Sequence, residues 1–406
     1  PSNQVIQESQ KKSQNEYQEN TDNKKDQNLY ICTWNIRSLV KDTRHLELKH
    51  SLEKFKWDII GLSEVKMEGR EILECEDYIF IYNGEKSGRN GVGFLLRKEL
   101  KSYLTDIKTI SDRVIRLDMC LNNQTVHLIQ CYAPTESSTI EELDMFYKNL
   151  RDALINTSKN TIVMGDFNSK IGFPTAEDRT VMGPWGYGER NERGKILIQF
   201  CFENQLYITN THFKKNYKQK WTWISPDGKT RNEIDFILIK NIQNVSNVEV
   251  LNSNFPSDHR LIRASITNFS GKAISRKHYR CKMSGLNPLE QESLKNILSE
   301  ELDLLETRDM QLTYTTLIQK IKEAVNRLPK ERNNDKPALS PYVEKVIIER
   351  NRLKNKEKRT RSEKNKLSAL YKLIKKQIKR DLKEHRYRII EEELEKDHPL
   401  KGHIKG

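Results

Sequence analysis

The chain of 406 residues has no run of 18 apolar residues, so it offers no candidate transmembrane helix and no membrane partner is expected. Its first 30 residues are rich in Gln, Asn, Lys and Glu, which excludes a secretory apolar core there. Six cysteines (Cys32, Cys75, Cys120, Cys131, Cys201, Cys281) lack CxxC spacing and a paired His cluster. That scatter argues against a zinc site and against a disulfide framework, and several sit in apolar runs where they read as small core hydrophobes in a reducing compartment. No internal repeat is present. A soluble, intracellular protein is expected, and the opening on Pro1 rather than Met is expected of a processed or trimmed piece. Charge of one sign is also scarce over most of the chain: residues 1–270 carry only about +1 of the net +14. The excess lies in residues 271–406, and residues 351–390 alone hold 16 basic against 4 acidic side chains.

Residues 1–28 contain too few apolar side chains to offset the entropy of ordering them, so a disordered polar arm is expected. Strand patterns then recur between turn signals at residues 29–34, 58–63, 78–82, 91–96, 114–119, 125–132, 161–164, 206–209, 234–239 and 260–266. Two helices interrupt them. Over 139–156, Leu143, Phe146, Tyr147, Leu150 and Leu154 share one face, and Ser138 or Thr139 with a Glu three residues on makes a capping box. Over 192–204, Ile196, Leu197 and Phe200 make the stripe. Many strands with few separated helices predict an α/β fold, a four-layered sandwich of two packed mixed sheets with outer helices, over residues 29–270. Beyond it the pattern predicts a basic helical extension over 271–406, with helices at 288–305, 313–328 and 340–394, the last broken, and a linker at 331–337.

Polar residues keep appearing where strands end: Asn35, Glu64, Tyr132, Asp166 with Asn168, and Asp258 with His259. Asp235 lies inside an apolar run, where an unpaired carboxylate would cost several kcal/mol, so it needs a partner. Any one of these alone reads as a structural ion pair or turn residue; six in one domain are harder to explain so. Carboxylates and amides with one His and no Cys suit a hard cation, Mg²⁺ with Mn²⁺ as a substitute, and Glu64 is the best first ligand. A protonated His259 beside a carboxylate would be a charge-assisted donor to a phosphate.

The series Thr33-Trp34-Asn35, Leu62-Ser63-Glu64-Val65-Lys66, Gln130-Cys131-Tyr132-Ala133-Pro134, Gly165-Asp166-Phe167-Asn168, Glu233-Ile234-Asp235-Phe236 and Ser257-Asp258-His259 resembles the exonuclease III and apurinic-endonuclease branch of the exonuclease/endonuclease/phosphatase superfamily. The resemblance implies catalytic roles for Asp166, Asn168, His259, Asp235 and Tyr132, and metal-side roles for Asn35, Glu64 and Asp258. It implies that Asp166 activates water and that Asp235, in preference to Asp258, orients His259. Within the branch, Trp34 to Leu39, Arg89 to Phe94 and Asn191 to Gly194 look most like the endonuclease of non-LTR retrotransposons, in the group that includes craniofacial development protein 2-like proteins. The tail from Leu339 resembles the connector that precedes a reverse transcriptase in such elements.

What the resemblance implies is Mg²⁺-dependent nicking of DNA to leave a 3′-hydroxyl and 5′-phosphate, with no small-molecule cofactor. Arg37, Arg89, Asn90, Lys375, Lys376, Lys379 and Arg380 are the expected nucleic-acid contacts, and element RNA is a second expected partner of the basic connector. The bland reading of that connector is a solvated helical face. Its basic run at 354–361 suggests nuclear access. Two departures bear on this. Arg37-Ser38 stands where abasic-site enzymes carry Asp or Asn then Gly, and no (F/Y)xDD stretch is present, so this polypeptide does not itself copy RNA. The alternatives are an apurinic repair endonuclease and a domesticated, non-catalytic binding protein of the same fold.

Overall fold

The computed structural model describes residues 28–75, 77–267, 339–356 and 358–397. The expected polar arm, the helices at 288–305 and 313–328, and the linker at 331–337 lie outside the described residues, as does Cys281. The chain forms two compact units, one of residues 1–275 with 339–378 and one of residues 276–338 with 379–406.

In the first unit, β1 (Leu29–Asn35), α1 (Asp42–Leu52), β2 (Ile59–Ser63), β3 (Gly69–Glu74), β4 (Tyr78–Gly84) and β5 (Val92–Arg97) are followed by β6 (Leu104–Ser111), β7 (Val114–Leu121) and β8 (Gln124–Tyr132). Then come α2 (Ile140–Leu154), β9 (Thr161–Asp166), α3 (Glu192–Glu203), β10 (Tyr207–Ile208), β11 (Trp223–Ile224), β12 (Arg231–Asn232), β13 (Asp235–Ile239), β14 (Val245–Leu251) and β15 (Leu261–Ile266). Helices α4 (Pro341–Lys354) and α5 (Arg361–Asp397) close the described chain. The predicted break in the last helix therefore falls at 355–360.

Seven strands form one sheet in the order β14-β15-β1-β2-β5-β4-β3, and six form the other in the order β10-β13-β9-β8-β7-β6. The layers follow from which residues are apolar. Ile31, Ile59, Phe94, Leu117, Leu128, Met164 and Ile262 fill the space between the sheets. Alternate residues of the same strands face outward: Val114, Ile129 and Val163 pack under α2 and α3, and Cys32, Trp34, Ile60 and Leu62 under α1. Strands covered on both faces cannot alternate polar with apolar, which is why they read as continuous runs. The expected four-layered α/β sandwich is what the chain forms.

The crossovers are set by local chemistry. Thr139 caps α2, its Oγ1 accepting from Glu142 N–H at 3.3 Å, which selects Thr139 over Ser138 as the N-cap. Asn191 caps α3 through Gly194 N–H at 2.9 Å. The stripe expected on α3 needs one correction: Ile196 is 41% exposed, and the buried face is Leu197, Ile198, Phe200 and Cys201. α1 went unforeseen because its buried face is mostly polar, with Thr43, Glu47 and Ser51 beside Leu48 and Leu52. Strands β3, β6 and β14 were missed for a different reason. Each is the last strand of its sheet and partly exposed, so its apolar pattern is diluted.

Candidate active site

The parallel pairs β1–β2 and β8–β9 put Asn35 opposite Ser63 and Tyr132 opposite Asp166. Glu64 follows Ser63 directly. Antiparallel β13 enters beside β9 with Asp235 opposite Asp166. His259 lies just before β15 and bridges to Trp223. Ends of parallel strands and starts of antiparallel ones thus meet at one rim where the two sheets approach.

The sheets are stitched together beneath that rim. Gln130 accepts from Thr33 Oγ1 at 3.2 Å and donates to Ser63 Oγ at 2.9 Å, while Ser63 Oγ–H donates to Cys131 O at 2.9 Å. Gly61 makes room for this, since a Cβ there would lie 1.8 Å from Gln130 Oε1. Gly165, with φ of 152°, gives the same freedom beside Cys131, whose carbonyl oxygen would be 1.9 Å from an added Cβ.

Above it, Asn35 bridges the sheets: its Nδ2 donates to Glu64 Oε1 at 2.8 Å and to Asp166 Oδ2 at 2.9 Å. Its Oδ1 accepts from Arg37 N–H at 3.0 Å. Asn168, in the left-handed region at φ 47°, donates its N–H to Asp166 Oδ1 at 2.9 Å and its Nδ2 to Ala133 O at 2.8 Å. Both Asp166 oxygens are therefore held. His259 Nδ1 lies 2.9 Å from Asp235 Oδ2 and its Nε2 3.8 Å from Asp166 Oδ2, with all three side chains buried. Ser257 fixes the backbone here, accepting from His259 N–H at 3.1 Å and donating to Asn35 O at 2.7 Å.

The electrostatics follow from this geometry. Burial, with Asp235 close by, pushes the Asp166 carboxyl up to about 7, against the opposing pull of His259 and Asn35. Burial alone would depress His259, yet the Asp235 and Asp166 carboxylates outweigh it and raise the imidazole to about 10. Burial likewise opposes ionisation of Glu64, but hydrogen bonds from Lys66 and Asn35 outweigh it and hold the carboxyl below its ordinary value. Tyr132 is pushed up by burial and by Glu64 and Asp166, so its phenol stays neutral.

Asp258 stands apart from that buried trio. Its Oδ2 accepts from Arg37 at 3.1 Å and from Trp223 Nε1 at 3.2 Å, while Asp235 alone takes His259 Nδ1. The other oxygen, Oδ1, is buried with no hydrogen-bond partner. A buried carboxylate oxygen without a donor costs free energy, and a hard cation is one group that would satisfy it. Asp166, Asp235 and His259 also lie close enough together to hold an ion. A protonated His259 opposes that placement, and Glu64 and Asp258 are the other two carboxylates at this rim that could hold a divalent cation.

Lys66, Trp223 and Ser257 join the site without having been singled out. Lys66 Nζ sits 2.8 Å from Glu64 Oε2, and its position two residues after Glu64 was the available signal. The expected nucleic-acid contacts do not all gather here. Arg37 reaches Asp258 with its side chain half exposed. Arg89 is two-thirds exposed and lies 3.9 Å from Glu142, while Asn90 donates to Asp112 at 2.7 Å. Lys375, Lys376, Lys379 and Arg380 are exposed along α5, the last 3.2 Å from Glu384.

Residues 32–259 match the sequence model of the Endonuclease/Exonuclease/phosphatase family, which is more than half of the chain. The chain belongs to that family. Craniofacial development protein 2 of Bos taurus is 35% identical over 213 residues, covering 52% of this chain and 36% of that protein. The chain thus spans about a third of that relative's length. Exodeoxyribonuclease III of Haemophilus influenzae (strain ATCC 51907 / DSM 11121 / KW20 / Rd) is 28% identical over 156 residues, covering 34% of this chain and 57% of that enzyme. Among solved structures, the endonuclease domain of TRAS1, a telomere-specific non-LTR retrotransposon, aligns with a TM-score of 0.42 and 13% identity over 59% of this chain and 98% of that domain. Family members are generally hydrolytic nucleases and phosphatases that usually use divalent metals, and nuclease relatives act on DNA.

Proposed function

We propose that this endonuclease/exonuclease/phosphatase domain is a Mg²⁺-dependent DNA endonuclease that nicks a target strand in the manner of retrotransposon endonucleases, with Mn²⁺ able to replace Mg²⁺. One observation carries the reading. Asp166 is held by three donors or near-donors, Asn168 N–H, Asn35 Nδ2 and His259, at a buried rim where its carboxyl ionises near neutrality.

A carboxylate titrating near 7 is suited to take a proton from water and still to be ionised at working pH. Asn168 and Asn35 fix the direction of its lone pairs, which places the water for in-line attack. His259, kept protonated and aimed by Asp235, donates a charge-assisted hydrogen bond to a non-bridging phosphate oxygen. Tyr132, kept as a neutral phenol, is a second donor to the same group. The water gives a proton to Asp166 as its oxygen bonds to phosphorus, the bond from phosphorus to O3′ breaks, and the departing O3′ takes a proton from solvent, leaving 3′-hydroxyl and 5′-phosphate. Glu64 and Asp258 would hold a Mg²⁺, which when bound would supply neutralisation of charge on the phosphate and leaving group. Lys66 on Oε2 and Asn35 on Oε1 hold the Glu64 carboxylate in place.

Incubation of supercoiled plasmid and of an abasic duplex with Mg²⁺ or chelator, for wild type, Asp166→Ala and His259→Ala, tests this. Nicked circles from wild type with Mg²⁺ alone, and loss of at least about 100-fold in each variant, are expected. A wild type that cuts neither substrate, or variants that cut equally well, refutes the assignment. Cleavage of the abasic duplex far above the plasmid would instead favour a repair enzyme.

A further inference from the structure

Beside His259 opens a cleft of about 620 Å³ whose walls come from two places in the chain: the catalytic sandwich and the segment 354–375 of α4, α5 and the turn between them. Nine Lys or Arg side chains line it against two carboxylates, Glu47 and Asp258, and both are already engaged. Glu47 is held by Arg350 at 3.1 Å and Asp258 by Arg37 at 3.1 Å. Of the cleft cations, Lys356 pairs with Glu363 at 2.6 Å, and several of the others meet only neutral carbonyl oxygens. Arg44 donates to the carbonyls of Ser38, Ile36 and Pro256, Arg260 to those of Lys218 and Trp221, and Lys354 to that of Phe255. Arg359 donates to Leu353 O and Lys354 O, and Arg231 Nε is buried without a hydrogen-bond partner.

Resting on the nuclease reading above, we propose that helices α4 and α5 complete the substrate site, forming with the sandwich a cationic cleft that grips the phosphate backbone of the DNA flanking the scissile bond. The helices are fastened for this task. Arg350 is fully buried, pairs with Glu47 and also donates to Asn254 O, so α4 is pinned to the sandwich one turn before Lys354. Leu367, Tyr371 and Lys375 recur at intervals of four on α5 and so share the face that lines the cleft. Burial, with Arg350, Arg260 and Arg44 nearby, lowers Lys354 to about 7. Converged like charges of this kind lose their mutual repulsion when a polyanion enters. A polyanion is favoured over a small ligand because nine cations line one cleft together with His259, the residue proposed to meet the scissile phosphate.

The test is equilibrium binding of a fluorescent DNA duplex to the full chain in chelator, across a salt series, with nicking of plasmid in Mg²⁺ measured alongside. Three double variants are compared with wild type: Arg260→Gln with Arg359→Gln, Arg260→Lys with Arg359→Lys, and Lys364→Gln with Lys372→Gln on the exposed side of α5. The slope of log affinity on log salt is expected to shrink by roughly 2 in the first pair and to stay near wild type in the second, which also reports a correct fold. It is expected to change little in the third. A first pair with the slope of the third overturns the proposal, as does an RNA duplex that competes about tenfold better than DNA. If the slopes behave as expected and wild type does not nick, the nuclease reading fails and the cleft stands; nicking with unchanged slopes gives the reverse.

Discussion

Asp235→Asn isolates what one buried carboxylate does for the proposed donor. The change keeps the shape of the side chain but removes the charge 2.9 Å from His259 Nδ1. With Asp235 and Asp166 beside it, His259 is raised to about 10, so it is a cation at every pH where the enzyme would work. An opposite charge at this range is worth roughly 1 to 3 pH units, so the variant's imidazole is expected to titrate that much lower and to be partly neutral at mildly alkaline pH. Asp166 also loses a like-charged neighbour, and its carboxyl is expected to ionise at lower pH. The assay is the pH profile of single-turnover nicking, paired with NMR titration of the His259 ring. Wild type should rise through about 7 and fall toward about 10. In Asp235→Asn both limbs should move down, with a loss at pH 8 of about 100-fold or more from mis-orientation and deprotonation together. The sign for stability is fixed too. A raised His stabilises the fold fully below its unfolded value of about 6.5 and loses that contribution as pH rises through about 10, so the wild type should lose this contribution in alkali and the variant much less. An alkaline limb and a ring titration unmoved by the substitution would refute the reasoning.

Three other outcomes follow from the same geometry. Asn35→Ala leaves Glu64 and Asp166 without their shared donor, and should cost about 1 to 3 kcal/mol in thermal unfolding together with a large loss of nicking. Gly61→Ala drives a methyl into Gln130 and should cost about 1 to 3 kcal/mol by breaking the inter-sheet network, read by denaturant midpoint. Arg350→Met strands Glu47 as an unpaired buried charge, costing about 3 to 5 kcal/mol, and should expose the interhelical turn at 355–360 to limited proteolysis while leaving the sandwich strands protected.

How much of this was legible in the sequence depended on whether a residue's reason for its place was local. Strands such as β1 and β9, mostly apolar and buried on both faces, announced themselves. α1 did not, because Glu47 is buried by an arginine 303 residues further on. Edge strands β3, β6 and β14 were hidden because their apolar pattern is diluted by exposed residues. At the site, Asp235 inside an apolar run demanded a partner, and His259 is that partner. The division between the two carboxylates near His259, Asp235 as its partner in preference to Asp258, came from the family resemblance and not from spacing. That choice is made by Arg37 and Trp223, which draw Asp258 away, and by the register that sets Asp235 opposite Asp166. Of the cationic cleft, Arg37 and Lys375 were among the expected nucleic-acid contacts, while the other cations, far apart in sequence, were visible only as net charge.

The central claim is that water, activated at Asp166, attacks a DNA phosphodiester and expels O3′. Single-turnover cleavage in ¹⁸O-water with Mg²⁺, followed by mass analysis of the ends, addresses it most directly. Wild type is expected to give a 5′-phosphate carrying one solvent oxygen and a 3′-hydroxyl that a polymerase extends, and Asp166→Asn to give neither. A 3′-phosphate product, ends without solvent oxygen, or equal cutting by Asp166→Asn would contradict the account.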